Sequence, residues 1–268
     1  MNELGLFGGG FQHAYSSTWW KKPTYFSWAK NKVCDINCSV DERIVPDINS
    51  NTNTIKIAWL VESSVIITNT VNEVISNYKE VSESYDFLIS HDKRVISLAD
   101  NFFYLPPHGY WIENPMIYNK TKLCSMISSN KQLCDGHNFR LEWVDRLKTQ
   151  VDLFGSGIRP FVKKEEALCD YMFSVTIENS SYETYWSEKI LDCFTSGTIP
   201  IYHGSPDIDE FFNPDGIIKL TDDFKVEDLS KDLYISKMHA ITDNLQRSLS
   251  YNVIEDIMWE RFLSKYYE

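Results

Sequence analysis

A chain of 268 residues, 43% of them hydrophobic, is long enough to bury a substantial core and to divide into one or two domains. Its formal net charge of −12 argues against nucleic acid as a partner, because phosphate contacts need a basic surface and the acids here are spread along the chain. No apolar run approaches the roughly 20 residues that a membrane helix requires, and no charged-then-apolar leader opens the chain, so a soluble, cytoplasmic protein without a transmembrane segment is expected.

The opening residues are rich in glycine and aromatic rings. Gly8-Gly9-Gly10 reads as a flexible loop, since isolated glycine groups mark turns more often than phosphate cradles. Tyr15, Trp19, Trp20, Tyr25 and Trp28 offer rings that either pack in a core or stack on sugars. Pro46 to Thr54 is polar enough for an exposed loop, and the first clear strand follows it, Ile55 to Val61. Glu62 comes directly after that strand, where a side chain stands at the mouth of a sheet; the plainer reading is a loop or capping acid before Ser63 and Ser64. Tyr85 to Ser90 reads as the next part of the same domain. Leu123 to Ile127 opens a second one, so the boundary is set near Asn119, dividing residues 1–118 from 119–268.

Arg140 to Leu147 reads as a helix. Tyr171 to Thr176 is a short β-rich run, which predicts a buried strand ending where Glu178, Asn179 and Ser180 begin. From Ser187 the pattern turns helical, with serine at the N-cap, Ile190, Leu191 and Phe194 at helical spacing, and Gly197 at the C-cap. Glu188 and Lys189 occupy its first turn. Free N–H groups and a partial positive charge at that terminus favour an anionic diphosphate, and Lys189 adds a full charge. Thr198 to Tyr202 is a second buried strand, closed by the turn His203 to Pro206. Strand, loop, helix and strand together make a nucleotide-binding type of unit. Further on, 221–249 reads as helical without assigned chemistry, and Asn252 to Tyr267 has amphipathic helical spacing.

Six cysteines, at 34, 38, 124, 134, 169 and 193, lack paired metal-ligand spacing and read as reduced and structural. Asp207-Ile208-Asp209 has the form of an Asp-x-Asp metal motif, but short acidic triplets are common. Gly155-Ser156-Gly157 reads as a turn, and His13 and His108 as surface or internally satisfied side chains.

Four ordered segments carry a resemblance: Ile177-Glu178-Asn179-Ser180, Tyr185-Trp186-Ser187-Glu188-Lys189-Ile190, Thr198 through Pro206, and Phe212-Asn213-Pro214. In order and spacing they resemble the signature of the family 10 glycosyltransferases, the α-1,3/1,4-fucosyltransferases, with Ile177 in place of phenylalanine and Ser187 in place of threonine. Ser128-Ser129-Asn130, Arg140 and Val151 to Gly155 extend the likeness upstream more weakly. The resemblance implies an α/β fold of GT-B type, two Rossmann-like domains facing a central cleft, with 1–118 binding the acceptor and 119–268 the donor. It also implies that the C-terminal helix crosses back to the first domain.

By the same resemblance, Arg140, Asn179, Tyr185, Glu188 and Lys189 hold the donor, with Arg140 and Lys189 on phosphate and Glu188 on ribose hydroxyls. The implied reaction is an inverting transfer of L-fucose from GDP-fucose to a glycan hydroxyl, with no cofactor and no metal. Such a transfer needs one carboxylate to take the acceptor's proton while the diphosphate leaves from the opposite face, and Glu62 is the candidate base. The alternatives are another nucleotide-sugar donor, or an inactive carbohydrate-binding relative.

Overall fold

Short apolar runs that alternate with helical segments build two α/β units in the computed structural model, which describes residues 2–11, 13–50 and 54–267. Residues 51–53 of the expected polar loop lie outside the described residues. One unit comprises residues 1–109 and 253–268, the other residues 110–252.

Strands β1 (Asn2–Phe7), β2 (Phe26–Lys30), β3 (Ile36–Val40), β4 (Ile55–Trp59), β5 (Phe87–Ser90) and β6 (Phe102–Tyr104) form the first unit's sheet in the order β2-β1-β3-β4-β5-β6. Every pairing is parallel, with Leu4 opposite Trp28, Gly5 opposite Asn37 and Ile57 opposite Phe87. Helices α1 (Thr68–Ser76), α2 (Tyr78–Ser84) and α3 (Lys93–Ile96) belong to the same unit. Val71, Val74 and Val81 pack with Ala58, Leu60 and Leu88 in one core cluster.

The second unit's sheet contains β7 (Lys122–Ile127), β8 (Asp152–Phe154), β9 (Tyr171–Ile177), β10 (Ile199–His203) and β11 (Ile218–Lys219), parallel throughout in the order β11-β10-β9-β7-β8. Its helices are α4 (Asp135–Leu147), α5 (Glu165–Leu168), α6 (Glu188–Thr195), α7 (Lys231–Ser236) and α8 (Met238–Ser248). All seven residues of β9 are buried, because side chains cover both faces of this central strand. Phe173, Val175, Ile199 and Ile201 pack with Trp143 and Ile241, while Trp186, Ile190, Leu191 and Phe194 pack with Phe212 in a separate cluster. In each sheet the first strand has the second on one side and the third on the other. The order therefore reverses between β1 and β3, and again between β7 and β9, the doubly wound arrangement that opens a crevice at the strands' carboxyl ends.

The domain bounds need correction, while the return of the C-terminal segment agrees with what the resemblance implies. The division falls at 109/110 rather than 118/119, and residues 253–268 belong to the first unit. Backbone bonds explain the first: Tyr110 N–H donates to Tyr251 O at 3.1 Å, and Met116 N–H to Thr195 O at 2.9 Å, so the segment before Asn119 is tied into the second unit. Aromatic packing explains the second. Trp259 stacks on Tyr25 at 5.7 Å between ring centroids, and Phe262 stacks on Phe103 at 5.0 Å. The expected continuous C-terminal helix is instead an α-helical stretch Ile254–Met258, a π turn Trp259–Leu263 and a 3-10 turn Ser264–Tyr266. Of the 221–249 stretch, α7 and α8 are helical as expected, whereas residues 221–230 are irregular apart from a short 3-10 turn. No helix among the described residues is long and apolar enough to cross a membrane.

Candidate functional site

At the second unit's switch point lies a cavity of about 330 Å³, walled by Arg140, Lys164, Asn179, Glu188, Lys189 and Asp192 among others. Its position follows from the fold, since the connections leaving the paired strands β7 and β9 run in opposite directions, toward β8 and β10, and leave a crevice at the strands' carboxyl ends.

Glu178, the first residue past β9, is fully buried under the N-terminus of α6. It accepts from Ser187 N–H at 3.0 Å, from the Ser187 hydroxyl at 2.7 Å and from the Lys189 ammonium at 3.3 Å. Ser187 caps α6, its Oγ accepting the Lys189 N–H at 3.4 Å. The helix closes at Gly197, whose φ of +71° lies in the left-handed region and whose place against Ile117 leaves no room for a side chain.

Arg140 is 6% exposed. Its Nε donates to Ile177 O at 3.1 Å and its Nη2 to Asn179 Oδ1 at 2.9 Å, so it fastens the end of β9 through neutral oxygens. Burial lowers its pKa, and the charges of Glu178, Tyr185 and Glu188 act against that. Deeper in the wall the Lys164 ammonium lies 2.5 Å from Asp192 Oδ2 and 3.4 Å from Glu188 Oε1, and 4.2 Å from the centre of the Trp111 ring. Burial pulls the Lys164 pKa down, but Asp192 and Glu188 outweigh it and hold the ammonium above its usual range. The Trp111 N–H donates to the other Asp192 oxygen at 2.5 Å. Lys164 and Lys189 are thus matched by carboxylates, whereas the Arg140 contacts are to neutral groups. Arg140 and the α6 N-terminus are therefore among the positive features that an incoming anion would meet, beside the lysines that line the cavity.

Of the sequence-predicted donor residues, this cavity brings together Arg140, Asn179, Glu188 and Lys189. Tyr185 is not among its walls; it is buried and stacked on Tyr182, with centroids 4.9 Å apart. Glu62 lies in the first unit, three residues past β4. Its carboxylate accepts the Ser63 N–H at 2.7 Å, while the N–H groups of Val61 and Glu62 donate to Asp41 Oδ1 at 2.8 and 3.4 Å. Asp41 is buried at φ +48°, and burial pushes its carboxyl up to about 7.

The remaining motifs have structural explanations. Asp207 accepts from Thr184 N–H at 2.9 Å and from the Ser205 hydroxyl, whereas Asp209 pairs with Lys219 at 3.3 Å, so the two carboxylates serve different partners. Gly155 has φ +125°, and a Cβ there would lie 1.7 Å from Ser128 O. His108 Nδ1 lies 2.8 Å from Ser17 O, and the His13 ring meets Trp19 edge-on. All six cysteines are free thiols.

Sequence reasoning missed Lys164, Asp192 and Trp111. A signal for Asp192 was present, an acid one helical turn after Glu188 inside the otherwise apolar run Ile190 to Phe194. Its partners are remote in sequence and left none.

The family model described as "Glycosyltransferase family 10 (fucosyltransferase) C-term" matches residues 117–252. Over 77 residues the chain is 42% identical to the Alpha-(1,3)-fucosyltransferase FucT of Helicobacter pylori, a match covering 29% of this chain and 16% of that protein. Over 121 residues it is 27% identical to an Alpha-(1,4)-fucosyltransferase of Arabidopsis thaliana, covering 45% of this chain and 25% of the relative. The chain therefore spans a quarter or less of the length of these relatives. Among solved structures, an alpha1,3-fucosyltransferase with GDP superposes with a TM-score of 0.55 at 16% identity, over 93% of this chain and 88% of that one. An alpha1,3-fucosyltransferase with GDP-fucose gives 0.50 at 15% identity, over 93% and 80%. At these identities the likeness speaks for the fold, an α/β architecture of GT-B type.

Proposed function

The chain belongs to glycosyltransferase family 10, and from that membership we propose that it transfers L-fucose from GDP-fucose to a glycan hydroxyl with inversion at the sugar carbon. The observation that carries the reading is the gathering of Arg140, Asn179, Glu188 and Lys189 around one cavity at a topological switch point, with the α6 N-terminus beside them. Arg140, Lys189 and the helix terminus would hold the diphosphate and stabilise the charge it gains as the bond to the sugar breaks, the electrostatic term that usually dominates catalysis. Glu188 would accept from ribose hydroxyls. In this mechanism Glu62 takes the acceptor hydroxyl's proton, the freed oxygen attacks the sugar carbon from the face opposite GDP, and the electron pair of the breaking bond leaves with the diphosphate. Protein cations supply the charge compensation, so the transfer needs no metal.

Calorimetric titration of the purified protein with GDP, GDP-fucose, UDP and ADP, with and without EDTA, tests the donor. The proposal expects selective, EDTA-insensitive binding of GDP and GDP-fucose. A preference for UDP would overturn the donor assignment, and absence of nucleotide binding would overturn the enzyme.

A further inference from the structure

The backbone pairing of β4 with β5 extends to Leu60, whose N–H donates to Ile89 O at 2.9 Å. Beyond it, side chains from the two flanking strands take hold of the backbone. Asp41, the first residue past β3, accepts on one oxygen the N–H of Val61 at 2.8 Å and that of Glu62 at 3.4 Å. His91, the first residue past β5, places Nε2 at 3.1 Å from Glu62 O. Since β3 and β5 lie on either side of β4, Glu62 is held at its N–H from one neighbour and at its C=O from the other. Two residues on, the Ser64 hydroxyl donates to Asp92 Oδ2 at 2.6 Å and fastens the same segment again.

Both holders sit where a plain surface loop would have no need of them. Asp41 is 2% exposed, and its φ of +48° is a left-handed conformation unfavourable to a residue with a side chain. Gly10 covers its second oxygen, so closely that a Cβ there would stand 3.2 Å from Oδ2. His91 is fully buried, and burial lowers its pKa to about 4, so the ring is neutral near pH 7. Facing a carbonyl oxygen, Nε2 must carry the ring's proton and donate it. A water-facing loop satisfies its backbone with solvent, whereas here a buried carboxyl and a buried imidazole converge on one loop residue. Glu62 itself is only half-buried.

We propose that Asp41 and His91 are positioning residues that aim Glu62 at the acceptor hydroxyl, Asp41 by accepting at its N–H and His91 by donating at its C=O. This role rests on the fucosyl-transfer reading above, in which Glu62 takes that hydroxyl's proton.

The test measures GDP release from GDP-fucose with lactose, or water alone, as the acceptor. Either acceptor's proton passes to Glu62 while the electron pair of the sugar–phosphate bond leaves with GDP. Asp41→Gly suits the left-handed backbone and removes the acceptor, whereas Asp41→Asn tolerates the same backbone and keeps the oxygen. Asp41→Gly should lower kcat by about 10²-fold and leave the KM for GDP-fucose within about twofold, and Asp41→Asn should restore most of that loss. His91→Leu should act like Asp41→Gly, and His91→Gln, whose amide can donate, should recover part of the rate. Thermal unfolding checks that each variant is folded at the assay temperature. In a Glu62→Gln background, Asp41→Gly should lower the residual rate by less than about threefold, because its effect passes through Glu62; a merely structural role would lower both backgrounds alike. An unchanged kcat in Asp41→Gly, or equal losses in the two backgrounds, would overturn the positioning role and leave Glu62 as the base. Near-normal turnover in Glu62→Gln, or no turnover in the wild type, would instead overturn the transfer reading at its base or as a whole, and this role with it.

Discussion

Gly136, in the first turn of α4, lies so close to Asn179 that a Cβ on it would stand 2.1 Å from the Asn179 carbonyl oxygen and 2.9 Å from that of Glu178. Backbone meets backbone there, along the seam that Arg140 fastens four residues later. Gly136→Ala should therefore force the two segments apart, lower stability by about 1–3 kcal/mol and weaken nucleotide binding through the displaced Asn179. Thermal unfolding and GDP titration of the variant check both effects together.

Lys189→Ala and Glu62→Gln should separate binding from chemistry. Lys189 lines the cavity proposed for the donor, and removing it should weaken GDP by about tenfold or more while lowering turnover. Every wall of that cavity belongs to residues 110–252, so Glu62→Gln should spare GDP affinity and cut the transfer rate by about 10²–10⁴-fold. Near-normal turnover in Glu62→Gln would show that another group is the base.

Lys164→Met leaves Asp192 buried without its cation, a change expected to cost about 3–5 kcal/mol. Pairing it with Asp192→Asn should recover part of that loss, because the carboxylate charge is then gone as well. A double-mutant cycle in chemical denaturation measures the coupling.

Glu255 gives the first unit a pH-dependent term. It accepts from Ser17 N–H and hydroxyl and from Trp28 Nε1 at 3.2 Å, yet burial outweighs these contacts and pushes its carboxyl from 4.5 up to about 7. Between those values the folded unit retains a proton that the unfolded chain has released, so its contribution to stability falls as pH rises, by about 3 kcal/mol in all. Asp41 acts in the same direction. His91 acts oppositely, since burial lowers it from 6.5 to about 4 and its contribution grows as pH rises through that interval. The difference between Glu255→Gln and wild type isolates one term: the variant should gain melting temperature relative to wild type from pH 5 to pH 7 and hold that gain above.

Legibility in the sequence followed the range of the determining contacts. β9 and α6 were readable because an apolar run, a capping serine and Gly197 are local signals, and the structure places them within a residue or two of the expected bounds. The start of α4 was not, since Gly136 reads as a helix breaker, while its lack of a side chain is required by Asn179, 43 positions away. Residues 110–118 show no periodicity, and contacts to residues remote in sequence, among them Tyr251, Asp192 and Thr195, decide to which unit they belong. Of the candidate site, the motif residues on the β9–α6 connection could be named in advance. The Lys164–Asp192 pair required the fold.

The return of residues 253–268 to the first unit makes residues 110–252 a continuous insert within a discontinuous host. During synthesis the insert has all its parts once residue 252 has emerged, whereas the sheet begun at β1 still awaits Trp259 and Phe262. The early strands of the first unit therefore stay dependent on a segment made only after the whole insert.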